Sequence, residues 1–209
     1  MAKYALGCFG IIFILAVLLL IGGCSGYNRL VGMSQDVNSK WADVETQYQR
    51  RADLIPNLVN TVSGAANFEK STLEDITQAR ASVGQVHLDP NTAPSDTQKF
   101  AEYQDAQNRL GGALSRLLVV SERYPQLQAN ANFRDLQAEL EGTENRIAVS
   151  RQNFNDSTQA YDTAIKSVPA VFYAAALGFP YKPYFEASAG ADKPPAVNFN
   201  FGGSPSPAQ

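Results

Sequence analysis

The chain has 209 residues, with 17 Lys and Arg against 20 Asp and Glu, for a formal charge of −3. That balance lacks the basic face on which nucleic-acid binding rests, so no nucleic-acid partner is expected. The one histidine, His87, and two cysteines, Cys8 and Cys24, both near the amino terminus, exclude a histidine metal cluster, a disulfide core and a cysteine nucleophile further along the chain.

From Tyr4 to Gly23 the sequence carries no charge. At ~1.5 Å rise per residue such a run reaches ~30 Å, the thickness of a bilayer's hydrocarbon core. Two readings stand. The run is a retained transmembrane helix, or it is a bacterial secretory signal in which Ile21-Gly22-Gly23-Cys24 acts as a lipobox and Cys24 becomes the lipidated first residue. Both place the protein at a bacterial cell membrane, single-pass or lipid-anchored, with membrane lipid as a partner. Lys3 on one side and Arg29 and Lys40 on the other give too little bias to orient it.

From Leu30 onward apolar residues recur with period 3.5: Leu30, Val37, Trp41, Val44, Tyr48, Ile55, Leu58, Val62 and Ala65, interrupted by Ser34 and Arg51. A second helix is expected over about Glu69–Val86, with Leu73, Ile76 and Val83 on one side. His87 to Asp96 reads as a loop, with His87 solvated and Ser95 or Asp96 capping the next helix. A third seam runs through Phe100, Tyr103, Gln107, Leu110, Leu114, Leu117, Ser121 and Tyr124 to Pro125, with Gly111-Gly112 its weak point. A fourth helix is expected from about Gln126 to Val168, where Phe133, Leu140, Ile147, Phe154, Tyr161 and Val168 fall seven residues apart.

Stripes of this kind are buried by pairing with one another. The expected fold is all-α: an N-terminal membrane helix or lipoprotein signal (residues 1–26), an elongated antiparallel four-helix bundle (27–168), and an aromatic, Pro- and Gly-rich tail (169–209). In that tail Val197, Phe199 and Phe201 alternate with asparagines as a strand would. It is either a flexible extension or an oligomerisation or membrane-apposed element.

Arg51 occupies a seam position, and a guanidinium facing a core demands a partner. Glu144 and Arg151 lie beside the seam of the fourth helix. The expectation is a buried polar layer in which Arg51 pairs with Glu144, Arg151 and Asp53 add contacts, and the whole fixes helix register. Pro56 removes the amide that would reach back to Ala52 and is expected to kink the helix. The functional alternative is an anion site built from these arginines. Asp53 and Glu144 as a general acid and base would need a cleft that a filled bundle does not promise.

Several segments together resemble the LemA family of bacterial membrane-anchored proteins: Tyr27–Val31, Trp41, Gln49–Val59, Tyr124–Phe133, Glu141–Asp156 and Gly178–Phe185. The resemblance spans the chain from the anchor to about Phe185. It implies an N-terminal membrane helix followed by a long antiparallel helical bundle, with a short external amino terminus and a cytoplasmic bundle, which conflicts with lipidation at Cys24. No GxSxG elbow, phosphate loop, HExxH, CxxC or EF-hand sequence is present, so no enzyme, cofactor or metal is expected. The expected function is that of a membrane-tethered scaffold or interaction protein, self-associating as a homo-oligomer or bound to a protein partner, with lipid or anion binding by the arginine layer as the alternative.

Overall fold

A computed structural model describes residues 2–65, 68–90 and 92–186, with side chains described from residue 22 onward. The described residues are helical and contain no strand. The elements are α1 (Ala2–Ser63), α2 (Lys70–Gln85), α3 (Thr97–Ser121), a single-turn α4 (Pro125–Gln128), α5 (Ala131–Lys166) and a 3-10 turn (Ala170–Phe172).

Among the residues whose side chains are described, no helix is long and apolar enough to cross a membrane. All but the end of the run 4–23 lies outside them, although its backbone is part of α1. The alternating segment Val197–Phe201 also lies outside the described residues.

α1 and α5 run antiparallel and form the largest helix contact. Their pairing is fixed by Ser157 donating to Asp36, Arg151 to Tyr48 and Arg51 to Glu144, so sequence numbers rise on one helix as they fall on the other. α2 lies antiparallel along α3, where Arg116 meets Asp75 and Arg123 meets Glu69. Both ion pairs are exposed, and pairs of that kind contribute little.

The seams are buried as their period requires. Leu30, Val37, Trp41, Val44, Tyr48, Ile55, Leu58 and Val62 of α1 face Phe133, Leu140, Ile147, Phe154 and Tyr161 of α5 and Phe100, Tyr103, Leu110, Leu114 and Leu117 of α3. At the centre sits Trp41, fully buried, with the rings of Phe100, Tyr103, Phe154 and Phe185 about its own at 5.7–6.2 Å. Its indole N–H donates to the Asp89 carbonyl at 3.0 Å.

Two expectations about the ends of elements are corrected. The fourth helix does not begin at Gln126: α4 ends at Gln128, and α5 starts afresh at Ala131 because the Asn130 side chain accepts from the Phe133 amide as an N-cap. Val168 is not a seam residue, since α5 stops at Lys166 and Val168 is 76% exposed. Pro56 stays inside α1, its ring on the exposed side. Asp96, one of the two caps expected, accepts from the amides of Gln98 and Lys99 at the start of α3.

The stretch after α5, expected to fall in the tail, is packed into the helical core as far as Phe185. Ala170, Ala174, Phe179 and Phe185 are buried. Gly178, with φ +82°, turns the chain back. The extended segment that follows is held by side chains standing in for a neighbouring strand. Asn155 donates to the Phe185 carbonyl and accepts from its amide, and Gln104 does the same for Glu186. Tyr161 donates to the Pro180 carbonyl.

Candidate functional site

Arg51 follows Tyr48 by one short step of the α1 seam and is only 2% exposed. Its Nη1 donates to Glu144 Oε1 at 2.9 Å. Its Nη2 donates to the Gln107 carbonyl at 3.2 Å and also to the Gln107 side-chain oxygen. The guanidinium carbon lies 5.2 Å from the Tyr48 ring centroid. Among the described residues its Nε has no hydrogen-bond partner.

Arg151 reaches the same place from α5. Its Nε donates to the Tyr48 hydroxyl at 2.6 Å, its Nη2 to Asn108 at 3.4 Å, and its guanidinium covers the Phe185 ring at 5.0 Å. Tyr48 is therefore flanked by two cations, yet burial holds its hydroxyl above the ordinary phenol range against the pull of Arg151.

The structure brings Arg51, Glu144 and Arg151 together and leaves Asp53 out. Two residues on from Arg51, Asp53 is turned ~200° around the helix. It is exposed and accepts from Gln49 Nε2 at 2.7 Å. Asp53 and Glu144 thus form no acid–base pair. Arg50 meets Glu139 at the surface and Arg146 meets Thr143, both outside the buried layer. Cys24 is an exposed free cysteine on α1, and His87 is exposed.

A groove of about 670 Å³ opens between α3 and α5, where Gly111 and Gly112 carry no side chain. Arg51, Arg151, Asn108, Glu141 and Glu144 all line it. Among the described residues no cluster of three or more His, Cys, Asp or Glu side chains could hold a metal ion.

The LemA family model matches residues 40–199, most of the chain. The chain belongs to the LemA family. Similar proteins include the magnetosome protein MamQ of Magnetospirillum gryphiswaldense, 27% identical over 183 residues covering 80% of this chain and 67% of MamQ. Magnetosome protein MamQ 2 of Paramagnetospirillum magneticum is 26% identical with the same coverage. Protein LemA of Metamycoplasma hominis is 24% identical over 138 residues, 66% of this chain and 58% of that protein. The family match begins ten residues after Leu30, so the apolar run 4–23 precedes it.

In this LemA-family chain the polar layer is larger than sequence reasoning expected. Gln107 was visible as a polar interruption of the α3 seam, the counterpart of Arg51 in α1, and pairing the two interruptions would have joined them. Glu45 carried no such signal. One turn before Gln49, it packs half-buried against Tyr103. Burial raises its carboxyl above the usual range, and the hydrogen bond with Tyr103 opposes that. Burial, with Glu45 alongside, raises the Tyr103 hydroxyl as well.

Because the folded form binds the Glu45 proton more tightly than the unfolded chain does, stability falls as pH rises from about 4.5 through the raised value. The Glu45→Gln variant keeps the acceptor without the charge. Its melting temperature relative to the parent is expected to increase between acid and neutral pH. An offset that is the same in acid and at neutrality would contradict this linkage.

Lys182 and Asp162 were also missed. Lys182 is buried, its Nζ donating to the Ala93 carbonyl at 2.6 Å, and burial lowers its ammonium pKa while Asp162 opposes the shift. Asp162 accepts from the Lys182 amide and the Tyr184 hydroxyl, which is pushed up to about 12 by burial and by that carboxylate. This second polar group ties the returning segment to α5 and to the loop before α3.

Proposed function

We propose that this LemA-family chain is a non-enzymatic, membrane-tethered interaction protein, a helical bundle held at the bilayer by residues 4–23 and associating with further copies of itself. The observation that carries the reading is the continuity of α1. One helix from Ala2 to Ser63 holds both the uncharged run and the seam that forms the core. At ~1.5 Å per residue it extends ~90 Å, with no loop between tether and core.

The polar groups fit a structural role. Arg51 is engaged by Glu144 and Gln107, and Arg151 by Tyr48 and Asn108. The tyrosines Tyr48, Tyr103 and Tyr161 are held above their ordinary range, away from proton transfer at neutral pH. Two relatives are named as magnetosome proteins. A tethered scaffold suits a subcellular body of that kind. Light scattering of the full chain in mild detergent tests the reading through the protein mass per particle, expected to be a discrete multiple of 22.6 kDa.

One observation favours a second reading. Arg51 and Arg151 both line the groove between α3 and α5, and Arg51 Nε is unengaged among the described residues. A small anion such as phosphate is the ligand that this pair of cations would take. Glu141 and Glu144 on the same wall oppose it, which is why the structural reading comes first.

A further inference from the structure

All the large apolar and aromatic side chains exposed among the described residues, except Val119 and Val149, lie at Tyr27 or between Val168 and Tyr184. Phe172 is 81% exposed and Val168 76%, with Val171, Leu177 and Tyr181 also open to solvent. Scattered exposed apolar residues are ordinary, but a contiguous group marks a surface that something covers.

The position of this group along α1 is fixed by contacts. The Tyr173 hydroxyl sits so close over Gly26 that an added Cβ would lie 2.5 Å from it. The rings of Phe179 and Tyr27 meet edge-on at 5.6 Å. Tyr27 is four residues beyond Gly23, where the uncharged run ends. Four residues of helix rise ~6 Å, close to the depth of one headgroup layer, which follows from a ~30 Å core in a bilayer of ~40–45 Å.

Charge points the same way. No Asp or Glu occurs from residue 1 to 35 or from 163 to 185, although the chain has 20 acidic residues. The cations there are Lys3, Arg29, Lys166 and the buried Lys182. Lys166 lies over the Tyr181 ring with its Nζ 4.9 Å from the centroid. Exposed aromatic rings, a lysine over one of them and no Asp or Glu within residues 168–181 match the boundary between lipid tails and anionic headgroups.

We infer that residues 168–181, folded back around α1 at Gly26 and Tyr27, form a collar that sits in the headgroup region of a bilayer containing anionic lipid. Phe172, Val168, Val171 and Leu177 dip toward the acyl chains. The collar rests on the tether reading, since it needs α1 to enter the membrane at about Gly23. It makes the helical unit seated on the surface and not merely hung from it. Glu186, the last described residue, is held by Gln104 beside the Trp41 cluster.

The test uses the full chain in vesicles of phosphatidylcholine and phosphatidylglycerol, with lipids brominated either just below the glycerol or deep in the acyl chains. An exposed-site variant, Phe172→Trp, reports the collar, and Phe13→Trp reports the tether. Trp41, fully buried, supplies the unquenched background. The collar predicts that the indole at position 172 loses most of its fluorescence with shallow bromine and much less with deep bromine. The indole at position 13 should show the reverse.

An unquenched position 172 beside a quenched position 13 overturns the collar and leaves the tether standing. A blue-shifted but unquenched position 172 means that protein, a second copy or residues 187–209, covers the patch, and it overturns the collar too. If neither position is quenched, the collar falls together with the tether on which it rests.

Discussion

Replacing Trp41 with alanine is expected to destabilise the helical core by about 3–5 kcal/mol, the range for removing a large buried aromatic side chain. The side chain is fully buried and shared by three helices and the returning segment, through Phe100 and Tyr103 of α3, Phe154 of α5 and Phe185. Those four rings belong to elements that cannot all close on the space at once, so most of the void would persist. The bond to the Asp89 carbonyl, which holds the loop before α3, is lost as well. For a chain of this size that is a fall in Tm of roughly 6–20 °C. Trp41→Phe should cost less than half as much. Thermal melting of the detergent-solubilised chain reads both, and an alanine variant within about 1 kcal/mol of the parent would mean the ring cluster is not close-packed.

The second large effect is non-additive. Glu144→Ala leaves the Arg51 guanidinium buried with only Gln107 to accept from it, at a cost of about 1–3 kcal/mol. That is below the ~3–5 kcal/mol typical of a fully buried pair, because Glu144 is 43% exposed and water can replace its oxygen. Arg51→Met keeps the length of the side chain and frees Glu144 to hydrate, so its cost is smaller. In that background Glu144→Ala should be close to silent. A coupling of about 1–2 kcal/mol from the four melting curves is the expected result. Spin labels on the exposed faces of α1 and α5 should report a broader distance distribution in Arg51→Met, as loss of a register key requires. Silent or strictly additive substitutions would remove the layer from the account.

What the sequence made legible follows one physical rule. Apolar positions repeated every 3.5 residues, from Leu30 to Val62 on α1, Phe100 to Leu117 on α3 and Phe133 to Tyr161 on α5, had to be buried together, and they are. Arg51 stood out because a cation in such a stripe must find a partner, and Glu144 was within reach by the same register. Asp53 was misplaced because nearness in sequence was taken for nearness in space, whereas two residues on a helix point to opposite faces. The break before α5 depends on one capping side chain, Asn130, inside a stretch otherwise fit for helix. The segment 179–186 was illegible for another reason. It has no period of its own, and its place is set by amides on distant elements, Asn155 and Gln104, and by a hole among aromatic rings that Phe185 fills.

The collar and the polar layer lie at different levels of α1, with the Trp41 cluster between them. A signal or partner at the carboxyl-terminal end of α1 would thus be separated from the lipid surface by the buried ring cluster about Trp41. That arrangement suits a rigid spacer, and a rigid spacer acts by what it holds together.

Particle mass therefore tests the account most directly. The full chain, extracted in mild detergent and measured by light scattering with the detergent contribution subtracted, is predicted to give one discrete multiple of 22.6 kDa. That multiple should stay unchanged on dilution. A particle of one chain at every concentration would contradict self-assembly and turn attention to a separate protein held by the same helices.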